Sequence, residues 1–267
     1  NKVNTEVMFV PRPGGPWHVS QQPERPNHVQ ARRINVRDEM GRMKNTVTFI
    51  PLNAPYFRGG CDPISSNPRI LGKGSQGAIT VKRRLNLEQE PKNLKFDEYG
   101  VISNPEDMVT NQIVADYIGR PYKPEDFFKE IVKACFYWGM PVMIEMDKHE
   151  AYLYMAENGY YGFIMQEPQS ISIKRGRRKT PAPGVRSSGD IVGSYVTALQ
   201  TYIANYWPAI KHTRVLKQAS RFVTSKRTKF DAVVSWGMAE VADMDNRYRE
   251  SQHQEKKGWA HDPYAIL

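Results

Sequence analysis

Three carboxylates lie beside apolar stretches of the chain, where a lone buried charge would be costly. Asp62 follows a short apolar segment, Glu145 lies inside one, and Asp231 begins one near the end of the chain. Asp147 is a fourth candidate, because side chains two residues apart on a strand share one face. Phosphodiester hydrolysis with two metal ions needs converging carboxylates, and Mg²⁺ prefers oxygen ligands. The pattern therefore predicts a metal-binding acidic site, although each acid alone could simply cap a strand or a helix.

Short apolar runs bounded by turn residues predict the elements that position these acids. Alternation indicates an extended run at 48–52 and sheet strands at 56–61, 78–84, 111–119, 142–146 and 162–166. Helical spacing indicates helices from Pro124, over 151–158, from a cap at Ser188 or Asp190, and over 215–222 and 230–241. We therefore expect an α/β fold: a mixed five-stranded sheet, three antiparallel strands then parallel ones, flanked by helices.

Composition narrows the class of protein. The chain has 267 residues, 40% of them hydrophobic, which suits one large globular domain or one domain with appendages. Its net charge of +10 favours a polyanionic partner, either nucleic acid or an anionic membrane surface, although a merely soluble basic protein is the alternative. No apolar run is long enough to span a membrane, so we expect no membrane partner. The two cysteines, Cys61 and Cys135, adjoin apolar residues, which predicts free thiols in a reducing compartment.

Two basic segments are candidates for contacts with nucleic acid, since Lys and Arg bind phosphates without reading sequence. The first is a loop that contains Lys174, Arg175, Arg177, Arg178 and Lys179. The second leads into Asp231 and ends with Lys226, Arg227 and Lys229. Either segment could instead be ordinary solvated surface. The histidines are scattered along the chain, and their spacing indicates no Ser/His/Asp arrangement.

Four segments together carry a likeness to a known family. They are the strand ending at 60–62, the run 113–121 followed by a helix and 142–145, the turn 184–188 before a long helix, and 229–233 at the head of the last helix. In this order and spacing, the stretch 56–242 resembles the nuclease domain of the large terminase subunit of tailed bacteriophages. That domain has an RNase H-like fold.

The resemblance implies roles for individual residues. Asp62 matches the first metal-binding aspartate of the family, Glu145 its strand glutamate, and Asp231 its late aspartate, which together hold two Mg²⁺ or Mn²⁺ ions. The chain departs from the family at two positions. Phe230 precedes Asp231 where many members have a second aspartate, and Asp147 stands where many have asparagine. We hypothesise that Asp147 supplies the acid missing beside Asp231.

The resemblance also implies a function and a setting. We expect a Mg²⁺- or Mn²⁺-dependent endonuclease that cuts concatemeric double-stranded viral DNA during genome packaging in the bacterial host cytoplasm. The implied partners are DNA, a portal protein and a small terminase subunit. We expect 1–50 to be a lead-in arm from an upstream ATPase region, 51–248 the nuclease domain and 249–267 a polar tail. Alternatives are a catalytically weak DNA-binding or motor-docking module, and an RNase H-like resolvase or transposase.

Overall fold

The structure, a computed structural model, describes residues 6–37, 42–64, 76–174 and 182–244. The strands are β1 (Trp17–Val19), β2 (Val29–Arg37), β3 (Met43–Pro51), β4 (Phe57–Asp62), β5 (Gly77–Arg83), β6 (Gln112–Gly119) and β7 (Val142–Ile144). The α-helices are α1 (Pro124–Trp138), α2 (Glu150–Glu157), α3 (Gln169–Lys174), α4 (Gly189–Tyr206), α5 (Thr213–Ala219) and α6 (Asp231–Asp243). None of these helices combines the length and the apolar character that crossing a membrane requires.

The central sheet has five strands in the order β1-β6-β5-β4-β7. The pairs β1/β6, β6/β5 and β5/β4 are antiparallel, and β4/β7 is parallel. Helices cover both faces. The mixed α/β class with a five-stranded mixed sheet is therefore confirmed, with one parallel pair of strands in the sheet.

The strand predicted at 162–166 is wrong. A 3₁₀ turn at Tyr161–Phe163 replaces its first half, and Ile164 then makes only a single parallel bridge to Val142. Gly162 explains the turn, because its N–H donates to Thr48 Oγ1 at 3.2 Å and so binds to β3 instead of a sheet neighbour. The alternating apolar residues at 162–166, which predicted a strand, therefore belong in part to a buried 3₁₀ turn.

The fifth strand comes instead from the segment predicted to be a lead-in arm. β1 pairs with β6 in the register Trp17 to Tyr117 and Val19 to Ala115. The same segment contributes β2, which forms a nine-residue antiparallel hairpin with β3. The extended run predicted at 48–52 thus belongs largely to this hairpin, outside the main sheet. The predicted tail at 249–267 lies outside the described residues.

One face of the sheet packs against α1. Pro124 occupies the first turn of α1, where its missing N–H costs nothing, and the helix ends at Gly139, which has a left-handed φ of 57°. Phe127 and Ile131 of α1 share an apolar core with Cys61 of β4. Both cysteines are free and buried, as predicted.

The other face packs against α6. Gly60 of β4 allows an unusually close approach, since a Cβ there would lie 2.1 Å from the backbone oxygen of Ser235. α4, whose N-cap position is Ser188, packs behind α6 through Tyr195 and Leu199, which share a core with Trp236. The glycine in β4 therefore sets how closely α6, and the acid at its head, sits against the strand that carries Asp62.

Candidate functional site

The parallel pair of β4 and β7 brings the first two acids together. Cys61 lies opposite Ile144 in the register, and the N–H of Glu145 donates to the carbonyl oxygen of Cys61 at 2.9 Å. Asp62 is the last residue of β4, and Glu145 directly follows β7. Because parallel strands end at the same edge of a sheet, the two carboxyl groups lie near each other there.

Asp231 reaches the same edge from the other layer. It is the first residue of α6, where a carboxylate is favoured by the helix dipole, and its Oδ2 accepts the N–H of Gln76 at 3.0 Å. We call Asp62, Glu145 and Asp231 the carboxylate cluster. Their exposed fractions are 3%, 6% and 6%, so three acids predicted from separate parts of the sequence share one buried site.

The cluster carries more negative than positive charge. Burial raises the pKa of Asp62 well above its ordinary value, and the charges of Glu145 and Asp231 raise it further. Lys148 opposes this shift, with its Nζ 3.0 Å from Asp62 Oδ1. Burial disfavours the charged form of Lys148, but the surrounding carboxylates prevail and its pKa is also raised. Lys148 therefore offsets part of the negative charge of the carboxylate cluster.

Glu145 is held by a segment that runs beside β7. Val185 makes a parallel bridge to Glu145, and the hydroxyl of Ser187 donates to Glu145 Oε1. The carbonyl oxygen of Ser187 accepts from Arg227 Nη2 at 3.3 Å. This chain of contacts fixes the glutamate carboxylate and links it to the basic segment before α6.

Asp147 lies at the margin of the cluster. β7 ends at Ile144, and Asp147 is in the following turn, so the expectation that it shares a strand face with Glu145 was wrong. Its side chain is 41% exposed and lies 3.9 Å from the guanidinium of Arg227. Partial burial and the nearby charge of Glu145 raise the pKa of Asp147, and the opposing charge of Arg227 offsets only part of this rise. Asp147 is therefore close to the cluster by charge but is paired with an arginine.

The chemistry of the cluster suits a hard divalent cation, since its ligands are carboxylate oxygens with unbalanced charge. Its arrangement is less complete. Within the described parts of the chain, no three His, Cys, Asp or Glu side chains converge closely enough to form a ready-made metal-binding group. Lys148 binds Asp62 and Ser187 binds Glu145, so a cation would have to displace the ammonium group. The residues fit a metal after that local exchange.

The two predicted basic segments differ in what the structure describes. Lys226, Arg227 and Lys229 lie in the 3₁₀ stretch Thr224–Lys229 directly before α6. Arg227 is half-buried against the site, while Lys226 and Lys229 are exposed to solvent. Lys174 is the last residue of α3. Its side chain, and all of Arg175, Arg177, Arg178 and Lys179, lie outside the described residues.

Sequence reasoning missed the groups that complete the cluster. Lys148 stands among charged residues after β7, and nothing in its local pattern distinguishes it from a surface lysine. Ser187 is separated from Glu145 by 42 positions, and Gln76 contributes only its backbone N–H.

No protein-family model matches the chain, and the search of curated proteins gives no match. The carboxylate cluster, its counter-charge and the adjacent basic segment are therefore the features from which a function can be inferred.

Proposed function

We propose that this protein is a metal-dependent endonuclease that cleaves double-stranded DNA at the carboxylate cluster. The observation that carries this proposal is the position of the buried acids Asp62, Glu145 and Asp231 at one edge of the sheet, with Lys148 in a salt bridge to Asp62. A site of this kind is expensive to bury unless cations bind there. The basic character of the chain supports a phosphate-bearing substrate.

The residues divide the work as follows. Asp62, Glu145 and Asp231 would hold two Mg²⁺ or Mn²⁺ ions, and such ions would supply an activated water and charge stabilisation for the leaving oxygen of the phosphodiester. Ser187 keeps the carboxylate of Glu145 oriented through its hydroxyl. Arg227, half-buried at the margin of the site, neutralises a DNA phosphate, a contact that positions the backbone without reading bases.

The likeness to the nuclease domain of phage large terminases gives this proposal its specific form. Three antiparallel strands, β6, β5 and β4, followed by parallel β7, form the strand pattern that the RNase H-like likeness implies. On this proposal the substrate is concatemeric viral DNA in the host cytoplasm. The partners are a portal protein, a small terminase subunit and an upstream ATPase region, and the basic sequence segment from Lys174 to Lys179 joins Lys226, Arg227 and Lys229 in holding DNA.

One observation favours a second function, a DNA-binding or motor-docking module with weak catalysis. The salt bridge from Lys148 to Asp62 occupies the carboxylate that a metal ion would use. If that ion pair persists in the presence of metal, the domain would bind DNA without cutting it. The two functions therefore differ in whether a metal ion displaces the ammonium group of Lys148 from Asp62.

A cleavage assay separates the two functions. Supercoiled plasmid is incubated with the chain and Mn²⁺ or Mg²⁺, beside Asp62→Ala and the surface control Asp126→Ala. Asp126 is an exposed carboxylate of α1 that pairs with Lys129. We expect metal-dependent cleavage by the parent and the control and its loss in Asp62→Ala. Cleavage that persists in Asp62→Ala would reject the site, and DNA binding without cleavage by the parent would favour the module.

A separate experiment tests the role hypothesised for Asp147. Asp147→Asn removes its charge but keeps its shape. If Asp147 replaces the acid missing beside Asp231, this variant binds Mn²⁺ more weakly and cleaves more slowly. Unchanged Mn²⁺ affinity and unchanged cleavage would show that Asp147 only pairs with Arg227.

A further inference from the structure

A second cluster of reactive side chains lies at the opposite edge of the sheet from β7. The hydroxyl oxygen of Ser20, just after β1, is 2.9 Å from Nε2 of His212. Nδ1 of the same ring is 2.5 Å from Oδ2 of Asp116, in the middle of β6. A hydroxyl, an imidazole and a carboxylate are thus connected in series, in the order that activates a serine nucleophile.

The carboxylate of Asp116 is shared between His212 and an arginine. Asp116 is almost completely buried, and its other oxygen, Oδ1, accepts from the guanidinium of Arg214. Arg214 neutralises the carboxylate, so His212 is not required as a cation. A neutral ring that donates from Nδ1 to Asp116 leaves the lone pair of Nε2 directed at Ser20.

The serine hydroxyl has more than one acceptor within reach. Besides Nε2 of His212, its oxygen lies 3.2 Å from the carbonyl oxygen of Val114 and 3.4 Å from that of Ile113. A hydroxyl has a single proton to donate, and the imidazole nitrogen is the nearest of the three acceptors and the strongest base. The proton therefore has a route to His212 when the oxygen attacks.

Solutes can reach the hydroxyl group of Ser20, as a nucleophile requires. Ser20 is exposed to solvent, whereas His212 and Asp116 are buried beneath it. The segment that carries Ser20 is fixed in place, because β1 pairs with β6 and Arg214 Nη2 donates to the carbonyl oxygen of Pro16 at 2.6 Å. The acid and base are thus shielded while the hydroxyl meets solutes.

We propose that Ser20, His212 and Asp116 form a nucleophilic triad that accepts an acyl group from an activated ester. Ser20 Oγ forms a bond to the acyl carbon, and its proton passes to Nε2 of His212. The bond from that carbon to the ester oxygen breaks, and the leaving oxygen takes the proton from His212. Water then attacks the acyl-serine through the same base, which releases the carboxylic acid and restores Ser20.

The surrounding backbone sets the balance between acylation and turnover. The N–H groups of Ser20 and Gln21 both donate to the carbonyl oxygen of Val114. Neither is directed at a developing oxyanion, and one such donor is worth about 10²- to 10³-fold in kcat. The missing donor slows acylation and hydrolysis alike, but an activated ester has a better leaving group than the acyl-serine, so we expect a burst of acylation on Ser20 followed by slower hydrolysis.

The test uses the full chain and two small probes, p-nitrophenyl acetate and a fluorophosphonate. Each reaction is followed by release of its leaving group and by mass spectrometry of the peptide that contains Ser20. We expect one acetyl or phosphonyl group on Ser20 and a burst of about one equivalent. The matched control is Ser220→Ala, because Ser220 is also exposed but donates to the carbonyl oxygen of Lys217. This control should react like the parent.

Three variants decide the outcome. Ser20→Ala removes an exposed hydroxyl, should fold normally, and abolishes labelling. His212→Gln and Asp116→Asn, each checked by its melting temperature, slow labelling by about 10²-fold or more if the triad operates. Absence of labelling in the parent overturns the proposal. Equal labelling of a folded His212→Gln protein also overturns it, because Ser20 would then be no more than an exposed serine. DNA cleavage is measured in parallel and should be unchanged in Ser20→Ala.

Discussion

Replacing Asp62 by asparagine should stabilise the folded protein at neutral and alkaline pH in the absence of metal. The reason lies in the folded-state pKa of Asp62, which burial and the neighbouring carboxylates raise. A group whose pKa is raised on folding contributes stability below its ordinary pKa and loses that contribution as the pH rises through the raised value. The parent loses this contribution as the pH rises through the raised pKa, whereas asparagine retains the neutral form at every pH.

The magnitude follows from the charges around the side chain. Two like charges, Glu145 and Asp231, face Asp62 against one opposite charge, Lys148. At a separation of about 4 to 8 Å and an effective dielectric of about 20, one uncompensated like charge costs about 2 to 4 kcal/mol. Loss of the charge-assisted hydrogen bond from Lys148 offsets about 1.5 to 3 kcal/mol of that gain. The net gain is about 1 kcal/mol, which raises the melting temperature by about 2 to 4 °C.

The assay is thermal unfolding in EDTA from pH 8 down toward the ordinary aspartate pKa of 3.8. The gain should be largest at pH 8 and should shrink as the pH falls, because the parent becomes protonated as well. Asp126→Asn is the matched control. The pKa of Asp126 is lowered, mainly by its hydrogen bond from Lys129, so neutralising it should bring no gain at any pH.

Excess Mn²⁺ should reverse the order of stability. The parent gains stability from any ion that binds only its folded state, and Asp62→Asn loses a ligand and gains less. A parent that is as stable as Asp62→Asn in EDTA at pH 8 would refute the electrostatic reasoning. Equal stabilisation of both proteins by Mn²⁺ would refute the assignment of Asp62 as a metal ligand.

Three further predictions concern packing, a buried ion pair and competition for the site. Gly60→Ala should cost about 3 kcal/mol in urea unfolding, because the new Cβ would meet the backbone oxygen of Ser235 at 2.1 Å; a loss below about 1 kcal/mol would contradict the packing described. Lys82→Met should lower the free energy of unfolding by about 3 to 5 kcal/mol, because it leaves the buried carboxylate of Glu240, 2.7 Å from the ammonium group in the parent, without this partner. In a double-mutant cycle, adding Glu240→Gln should recover part of the lost stability. Lys148→Met should tighten Mn²⁺ binding about tenfold, or about 1.4 kcal/mol, in calorimetric titration, whereas unchanged affinity would show that the ammonium does not compete with the ion.

The acids of the cluster could be predicted because each has a local signature. Asp62 and Glu145 adjoin apolar runs that pair as strands, and Asp231 begins a buried helix. Such patterns depend only on neighbouring residues. The starts of α1 and α4 could be located from Pro124 and Ser188 for the same reason, because the preference of proline and serine for helix starts is local, although Ser188 makes no side-chain capping hydrogen bond.

Features that depend on distant residues could not be predicted. The 3₁₀ turn around Gly162 forms because Thr48 accepts its N–H from another part of the chain, and no periodicity records that contact. The triad of Ser20, Asp116 and His212 spans most of the chain, and only the pairing of β1 with β6 and the start of α5 bring it together.

The most direct test of the central proposal is the rate of plasmid cleavage as a function of Mn²⁺ concentration, for the parent and for Glu145→Gln. Glu145→Gln keeps the shape of the side chain and its contact with Ser187 but removes the charge that would bind a metal ion. We expect saturable, Mn²⁺-dependent cleavage by the parent that EDTA abolishes, and a loss of at least about 10²-fold in Glu145→Gln, equivalent to about 2.7 kcal/mol of transition-state stabilisation. Cleavage by Glu145→Gln at the parental rate, or cleavage by the parent that is insensitive to EDTA, would contradict a metal-dependent nuclease at this site.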